Sequence, residues 1–497
     1  MKVAFTRCFV TSIIFIFLIH HANGQLLQDS LYTKAEIIED LTFLEQILKN
    51  SHPALYEYQT ELEMNERFQE ARNQVRDTMT DHDMLNLLAP IIKPIGCGHT
   101  TVANITTKQE RKRRKKLNRV DTLNFLPFSG KFIGTQLFVG NVFDPTLSKN
   151  TEVLMVDGHS TSELLQKLEE FPPISEDGTR PKLSRSVGAN GLFSFVYRYF
   201  YPIGQEIIVR LKTDEQIFFD TLNTLKAKDI PRSSIEKYEE KNWKKIVLEK
   251  PKKASKTTIL YSNRRNPDLA VLEIKRFNGQ DEKALSKIFK YLNQADIQNL
   301  AIDLRGNGGG SINLMVKLLS HTMKVPHTFK LYPSNVSKDV LRQTHRKSFI
   351  NRFFKNVGFA MYYKKKREGE AVLLQKTINP AKKNRFTGNL YVLIDHGSFS
   401  ASSMYSSVIQ YQKRGVFIGE ETGGAKDVTN GARYFYPKLP NSRGSVRIPQ
   451  YRIKHQVGEE SKGQGILPDF KVRETVESYK NGEDLILKKL LKVVEGA

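Results

Sequence analysis

The stretch LAIDLRGNGGGS, residues 300–311, ends an apolar run in Asp303, Arg305 and Asn307 and then opens into Gly308, Gly309 and Gly310. Three glycines let another group approach the backbone closely and leave peptide N–H groups free to point at it. About ninety residues on, LYVLIDHGSFSASSMYSSVIQ carries Ser400 where an apolar strand gives way to a helix. A serine at a helix N-terminus beside a row of N–H donors is what acyl transfer requires: a hydroxyl to attack and donors for the oxyanion. Ser398, Ser402 and Ser403 lie around it. The alternative is that this serine cluster only caps the helix, with Ser398 and Ser402 as second choices for the attacking hydroxyl. The glycine run has neither the G-x-x-x-x-G-K-[ST] nor the G-x-G-x-x-G pattern, which argues against nucleotide binding.

Four segments resemble peptidase family S41, the tail-specific or C-terminal processing proteases and their tricorn-like relatives. DLRGNGGG resembles that family's oxyanion loop. SASS at 400–403 resembles its S-A-S-E nucleophile turn, with Ser403 in place of the glutamate. VFIGEETGG at 416–424 and QGILPDF at 464–470 resemble two further segments, and the order and spacing hold from about 255 to 475. The resemblance implies Ser400 as nucleophile and N–H groups of Gly308 or Gly309 and of Ala401 as the oxyanion hole. It also implies an α/β core of crotonase/ClpP-like ββα units and no metal or cofactor. Two bases remain open. The tail-specific branch uses a lysine 25 residues after the serine, but Ala425 stands there and Lys426 is one residue late. The tricorn-like branch uses a more N-terminal histidine, and His99 in GCGHTTV resembles its motif; imidazole suits general-base work near neutral pH. His396, four residues before Ser400, is a weaker candidate. The acid that would orient the imidazole falls near Glu459 and Glu460, and Glu460 is the assignment; Glu420 and Glu421 are expected to hold the loop around Thr422.

The elements that must position these groups follow from patterning. Residues 1–24 read as a signal peptide: Lys2 and Arg7, then an apolar run over 8–19 that is about half a membrane span, then small residues at Ala22-Asn23-Gly24. Export to a periplasm or to the exterior is therefore expected, without membrane insertion once the signal is removed. Residues 25–108 read as a helical N-terminal domain whose first helix is opened by a Thr33/Glu36 capping box and stopped by Ser51-His52-Pro53. Residues 121–245 read as a β-rich region. Within it, the segment around Asp157-Gly158 resembles a PDZ domain, which would bind a peptide by strand addition. Residues 255–475 alternate strand and helix, an α/β layered core. A Lys- and Tyr-rich insertion spans 325–385, with the character of a lid or substrate contact, and residues 476–497 form an amphipathic basic helix.

The 497 residues carry a net charge of +24, which the signal's two basic residues lower only to +22. Apart from the run Lys108 to Lys116, the charge is spread along the chain and no basic-plus-aromatic module accompanies it. That argues against nucleic acid and for attraction to acidic substrates or anionic surfaces. After the signal one cysteine, Cys97, remains, so no intrachain disulfide forms, and no His/Cys/Asp/Glu spacing suggests a metal. The expected function is an exported serine endopeptidase acting on polypeptides. The alternatives are a binding protein on the same fold that has lost catalysis, and a hydrolase of esters.

Overall fold

The computed structural model describes residues 31–103, 124–148, 151–169, 192–226, 229, 238, 241–248, 255–334, 364–368, 371–458 and 460–496. The expected signal peptide, the basic run at 108–116 and Glu459 lie outside the described residues. Among the described residues no helix is long and apolar enough to cross a membrane.

A seven-stranded sheet forms the centre. Its order is Trp243–Ile246, Thr258–Asn263, Leu269–Ile274, Asn299–Asp303, Asn389–Ile394, Val416–Gly419 and Phe470–Lys471. The first two pairings are antiparallel and the remainder parallel. Parallel strands are buried on both faces, which is why LAVLEI and NLAID read as nearly unbroken apolar runs. Leu300 and Ile302 face the helices Glu282–Gln294, Ile312–Thr322 and Ala401–Tyr411, packing with Phe289, Leu318 and Tyr405. Ala301, Leu393 and Ile418 face the other way, against Leu487 and Leu490. The expected C-terminal helix is in fact two, Val476–Lys480 and Leu485–Glu495, because Gly482 turns the chain with a φ of 67°.

The N-terminal unit is three helices, Lys34–Ser51, Glu61–Asn73 and Asp81–Ile92, each opened by a capping box from Thr33, Thr60 or Thr80. It does not stand alone. Its core takes in Phe435, Val446 and Ile448 from a second sheet. That sheet runs Lys364–Glu368, Ala371–Ile378, His327–Pro333, Ser445–Lys454, Val428–Phe435. The described parts of the expected 325–385 insertion are therefore largely strands of this sheet; 335–363 lie outside the described residues. Asp40 fastens the contact, accepting from the N–H groups of Asn441 and Ser442 and from the Ser442 hydroxyl. The strand Thr101–Ala103 then pairs with Ser445–Lys454, Thr101 opposite Arg447.

The β-rich region is an antiparallel sheet ordered Ile217–Asn223, Glu206–Lys212, Glu152–Val156, Gln136–Val142, Phe128–Ile133. The helices Thr161–Glu169 and Leu192–Phe200 cover its inner face through Leu164, Phe193 and Tyr197.

The strand end at Asp303 is tied to the C-terminal helix by buried charge. Asp303 accepts from Arg305 at both oxygens and from Tyr238 at 2.6 Å, and Arg305 reaches both oxygens of Asp484 at 2.8 Å. Removing one member of such a lattice leaves an uncompensated buried charge. Arg305→Ala should destabilise the fold by about 3–5 kcal/mol, read as a lowered urea midpoint.

Candidate active site

Two loops at the carboxyl ends of neighbouring parallel strands build the site. After Asn299–Asp303 the chain runs through Gly306–Gly310, and after Asn389–Ile394 through Asp395–Ser400. Asp395 joins them: one carboxylate oxygen accepts from the N–H groups of Gly306 and Gly397 at 2.8 and 2.9 Å. Asn307 joins them again, its carbonyl accepting from the Phe399 N–H and the Ser402 hydroxyl.

Ser400 precedes the helix Ala401–Tyr411 with φ 58° and ψ −118°. A non-glycine residue holds that conformation only where its surroundings enforce it, and such strain gathers at functional sites. The neighbours enforce it here. Gly424 packs so closely on this turn that a Cβ there would stand 2.1 Å from the Ser403 hydroxyl. Ser403, at the position of the family's glutamate, donates to the Ser400 carbonyl at 2.9 Å. The second-choice serines are both committed: Ser398 donates to the Leu304 carbonyl and Ser402 to that of Asn307, and both are fully buried. Ser400 alone of the three is partly exposed.

His99 reaches this hydroxyl from the N-terminal unit. Its Nε2 stands 3.2 Å from Ser400 Oγ, across 301 residues of sequence. The imidazole is 3 % exposed and stacks on Phe399 at 4.7 Å and on Tyr434 at 5.6 Å between ring centroids. Thr100, the next residue, is held by His52. Ala54 N–H donates to His52 Nδ1, so the ring proton sits on Nε2 and donates to Thr100 Oγ1 at 2.8 Å.

The other expected residues fare differently. Lys426 uses its backbone: its N–H donates to Gln464 and its carbonyl accepts from Ser407 and His455. Among the described residues its ammonium makes no bond to Ser400. Glu460 is 77 % exposed and stands 3.8 Å from Lys454, so it does not orient the imidazole. His396 faces Glu420 at 3.9 Å. Glu421 accepts from the Gly465 N–H, and Thr422 bonds Ile466 in both directions, consistent with a loop-holding role. Cys97 is buried and, among the described residues, is in no disulfide.

Gly309 needs correction as an oxyanion donor. Its N–H is taken by Asn307 Oδ1 at 2.8 Å. Its backbone, at φ 96°, instead lets the loop lie against the serine: a Cβ there would meet Ser400 Cβ at 2.7 Å and the Phe399 carbonyl at 2.9 Å. A Cβ on Gly308 would meet open space. The Ala401 N–H stands at the start of an eleven-residue helix with no acid in its first turn, so the helix end favours an anion. Among the described residues no cluster of His, Cys, Asp or Glu could hold a metal ion.

Sequence reasoning did not single out Phe399, Tyr434 or Arg447, and read His52 only as part of the stop of the first helix. Tyr434 and Arg447 lie on adjacent antiparallel strands whose register shifts between Gly431 and Tyr434, and nothing in their local sequence carries a catalytic signature.

The comparisons with known proteins come to the same region. Residues 268–472 match the model of peptidase family S41. The structure of mature CPAF complexed with lactacystin superposes with a TM-score of 0.64 at 14 % identity, over 93 % of this chain and 99 % of that one. Mature CPAF superposes equally, with a TM-score of 0.64 at 14 % identity, over 93 % and 97 %. At that identity the likeness is one of fold. No curated protein sequence matches the chain.

Two outcomes follow. Gly309→Ala should cost roughly 2 kcal/mol or more in urea unfolding, and should displace Ser400, so that the folded fraction no longer reacts with a fluorophosphonate. Burial holds His52 and His455 neutral, at about 3 and about 4 against the ordinary 6.5. The unfolded chain binds more protons below 6.5, so stability is full above that pH and is lost as the pH falls toward 4. The urea midpoint should drop over that range, less steeply in His52→Gln and His455→Gln.

Proposed function

We propose that the chain, a serine-type peptidase whose residues 268–472 belong to family S41, hydrolyses polypeptides through an acyl-enzyme on Ser400 with His99 as general base. The observation that carries this reading is the 3.2 Å approach of His99 Nε2 to the Ser400 hydroxyl. A serine hydroxyl is a weak nucleophile until a base takes its proton. Here the ring that would take it is fixed by stacking on Phe399 and Tyr434.

The steps follow from the geometry. Ser400 Oγ attacks the scissile carbonyl while His99 Nε2 takes its proton. The carbonyl oxygen becomes an oxyanion, held by the N–H groups of Ala401 and Gly308. His99 returns the proton to the leaving amine, which departs. Water then attacks the acyl-enzyme by the same route in reverse, freeing Ser400 and a carboxylic acid product. Lys426 takes no part.

Two further parts of the reading rest on sequence. Residues 1–24 have the pattern of a signal peptide, which supports an exported enzyme, periplasmic or secreted. The PDZ resemblance supports the β-rich region as a docking site for a chain end. The edge strand Ile217–Asn223 could receive it by strand addition.

Fluorophosphonate labelling of the folded protein tests the mechanism. Wild type and Lys426→Ala should label and cleave unfolded polypeptide. Ser400→Ala should be silent, and His99→Ala should be slowed roughly 10²–10⁴-fold. Silence of Lys426→Ala with full labelling of His99→Ala would transfer the base to the lysine. A folded wild type that never labels would leave a ligand-binding protein on a peptidase fold.

A further inference from the structure

The wall of the site behind His99 carries polar groups that the hydrolytic steps do not use. Arg447 lies over the Tyr434 ring, its Cζ 4.1 Å from the centroid, and that same ring stacks on His99. The Arg447 Nε is buried and, among the described residues, has no hydrogen-bond acceptor, and the residue as a whole is half-buried. Contact with an aromatic face uses the flat side of a guanidinium and leaves its N–H edge unanswered. Thr429 Oγ1 is a second buried atom that has no partner among the described residues. Thr429 belongs to the same wall: a Cβ placed on Gly431 would stand 3.8 Å from Thr429 Cγ2, 3.3 Å from the Tyr434 hydroxyl and 3.9 Å from His99 Cε1.

A buried N–H with no acceptor is costly to the free protein and is relieved when a ligand supplies one. The planar edge of arginine matches a carboxylate, which can accept two parallel bonds from it. Arg447 is held in place from behind. Its strand pairs with Thr101–Ala103, Thr101 opposite Arg447, so the elements that set His99 also set the guanidinium. The net charge of +24 would draw acidic chains toward such a group.

We propose that Arg447 is a specificity-determining residue that receives a carboxylate of the bound polypeptide beside the scissile bond. This rests on the peptidase reading above. The carboxylate comes either from an aspartate or glutamate side chain or from the C-terminus of the substrate.

Matched fluorescent peptides separate the cases. One pair differs as glutamate against glutamine near the cleaved bond, the other as a free C-terminus against a carboxamide. Wild type should prefer one acidic member by about tenfold or more in kcat/KM. Arg447→Met, which keeps an apolar chain over Tyr434, should bring that ratio to about one, and Arg447→Lys should restore part of it. The pair that responds identifies the source of the carboxylate. A wild type without charge preference, or a ratio that survives Arg447→Met, overturns the proposal, since a merely structural arginine would slow both members alike.

Binding of the same peptides to Ser400→Ala, followed by fluorescence anisotropy, decides the point without catalysis. Tighter binding of the acidic member that disappears on adding Arg447→Met supports the carboxylate site even where wild type cleaves nothing, an outcome that would remove the peptidase reading alone. Equal binding of both members overturns the site.

Discussion

The antiparallel bonds between Thr101–Ala103 and the first residues of Ser445–Lys454 set where His99 stands. Three residues of ladder are little by themselves. They hold because the helices before them share a core with the strand they join: Val446 and Ile448 are buried among Leu44, Leu88 and Ile92. Asp40 closes the contact from the far side through Asn441 and Ser442. The position of one imidazole thus depends on apolar burial between a helical unit and a sheet far along the chain.

On the other side of the 3.2 Å approach the serine is fixed by short polar contacts instead. Asp395 and Asn307 cross-link two loops whose strands are already adjacent, and the buried Asp303–Arg305–Asp484 lattice anchors the base of one loop to the last helix. Loops tied in this way can hold Ser400 at φ 58°. Within these two loops the strain falls on one non-glycine residue, and the bonds around it come from the Asp395 carboxylate, the Asn307 carbonyl and the Ser403 hydroxyl.

Much of this was legible in the sequence because it rests on local pattern. Strands buried on both faces announce themselves as apolar runs, as Leu269–Ile274 and Asn389–Ile394 do. Glycine runs and capping boxes mark turns and helix starts wherever they occur. The unreadable parts depend on where a side chain points after folding. Nothing in DLRGNGGG says that Asn307 folds back onto the Gly309 N–H and leaves Gly308 as the open position. Nothing in GEESKG says that Glu460 turns to solvent beside Lys454. Tyr434 and Arg447 gain their place only through the strand pairing that brings His99 to them.

The residue at 425 bears on why the proposed base is an imidazole from so far away in the chain. Ala425 is fully buried, and its backbone bridges to Gly465. A lysine side chain there would need space that the packing of this loop does not leave. The next residue, Lys426, makes no bond to Ser400 among the described residues, and its carbonyl is already bonded by Ser407 and His455. The loop that would present a lysine in the tail-specific arrangement is thus built as a structural brace. The imidazole within hydrogen-bond distance of Ser400 belongs to the N-terminal unit, and the two side chains come together only when helical unit, second sheet and central sheet have all packed. Undocking the helical unit would separate His99 from Ser400 while leaving the parallel strands and their loops intact, so the proposed chemistry is coupled to the tertiary contact rather than to the catalytic loops alone.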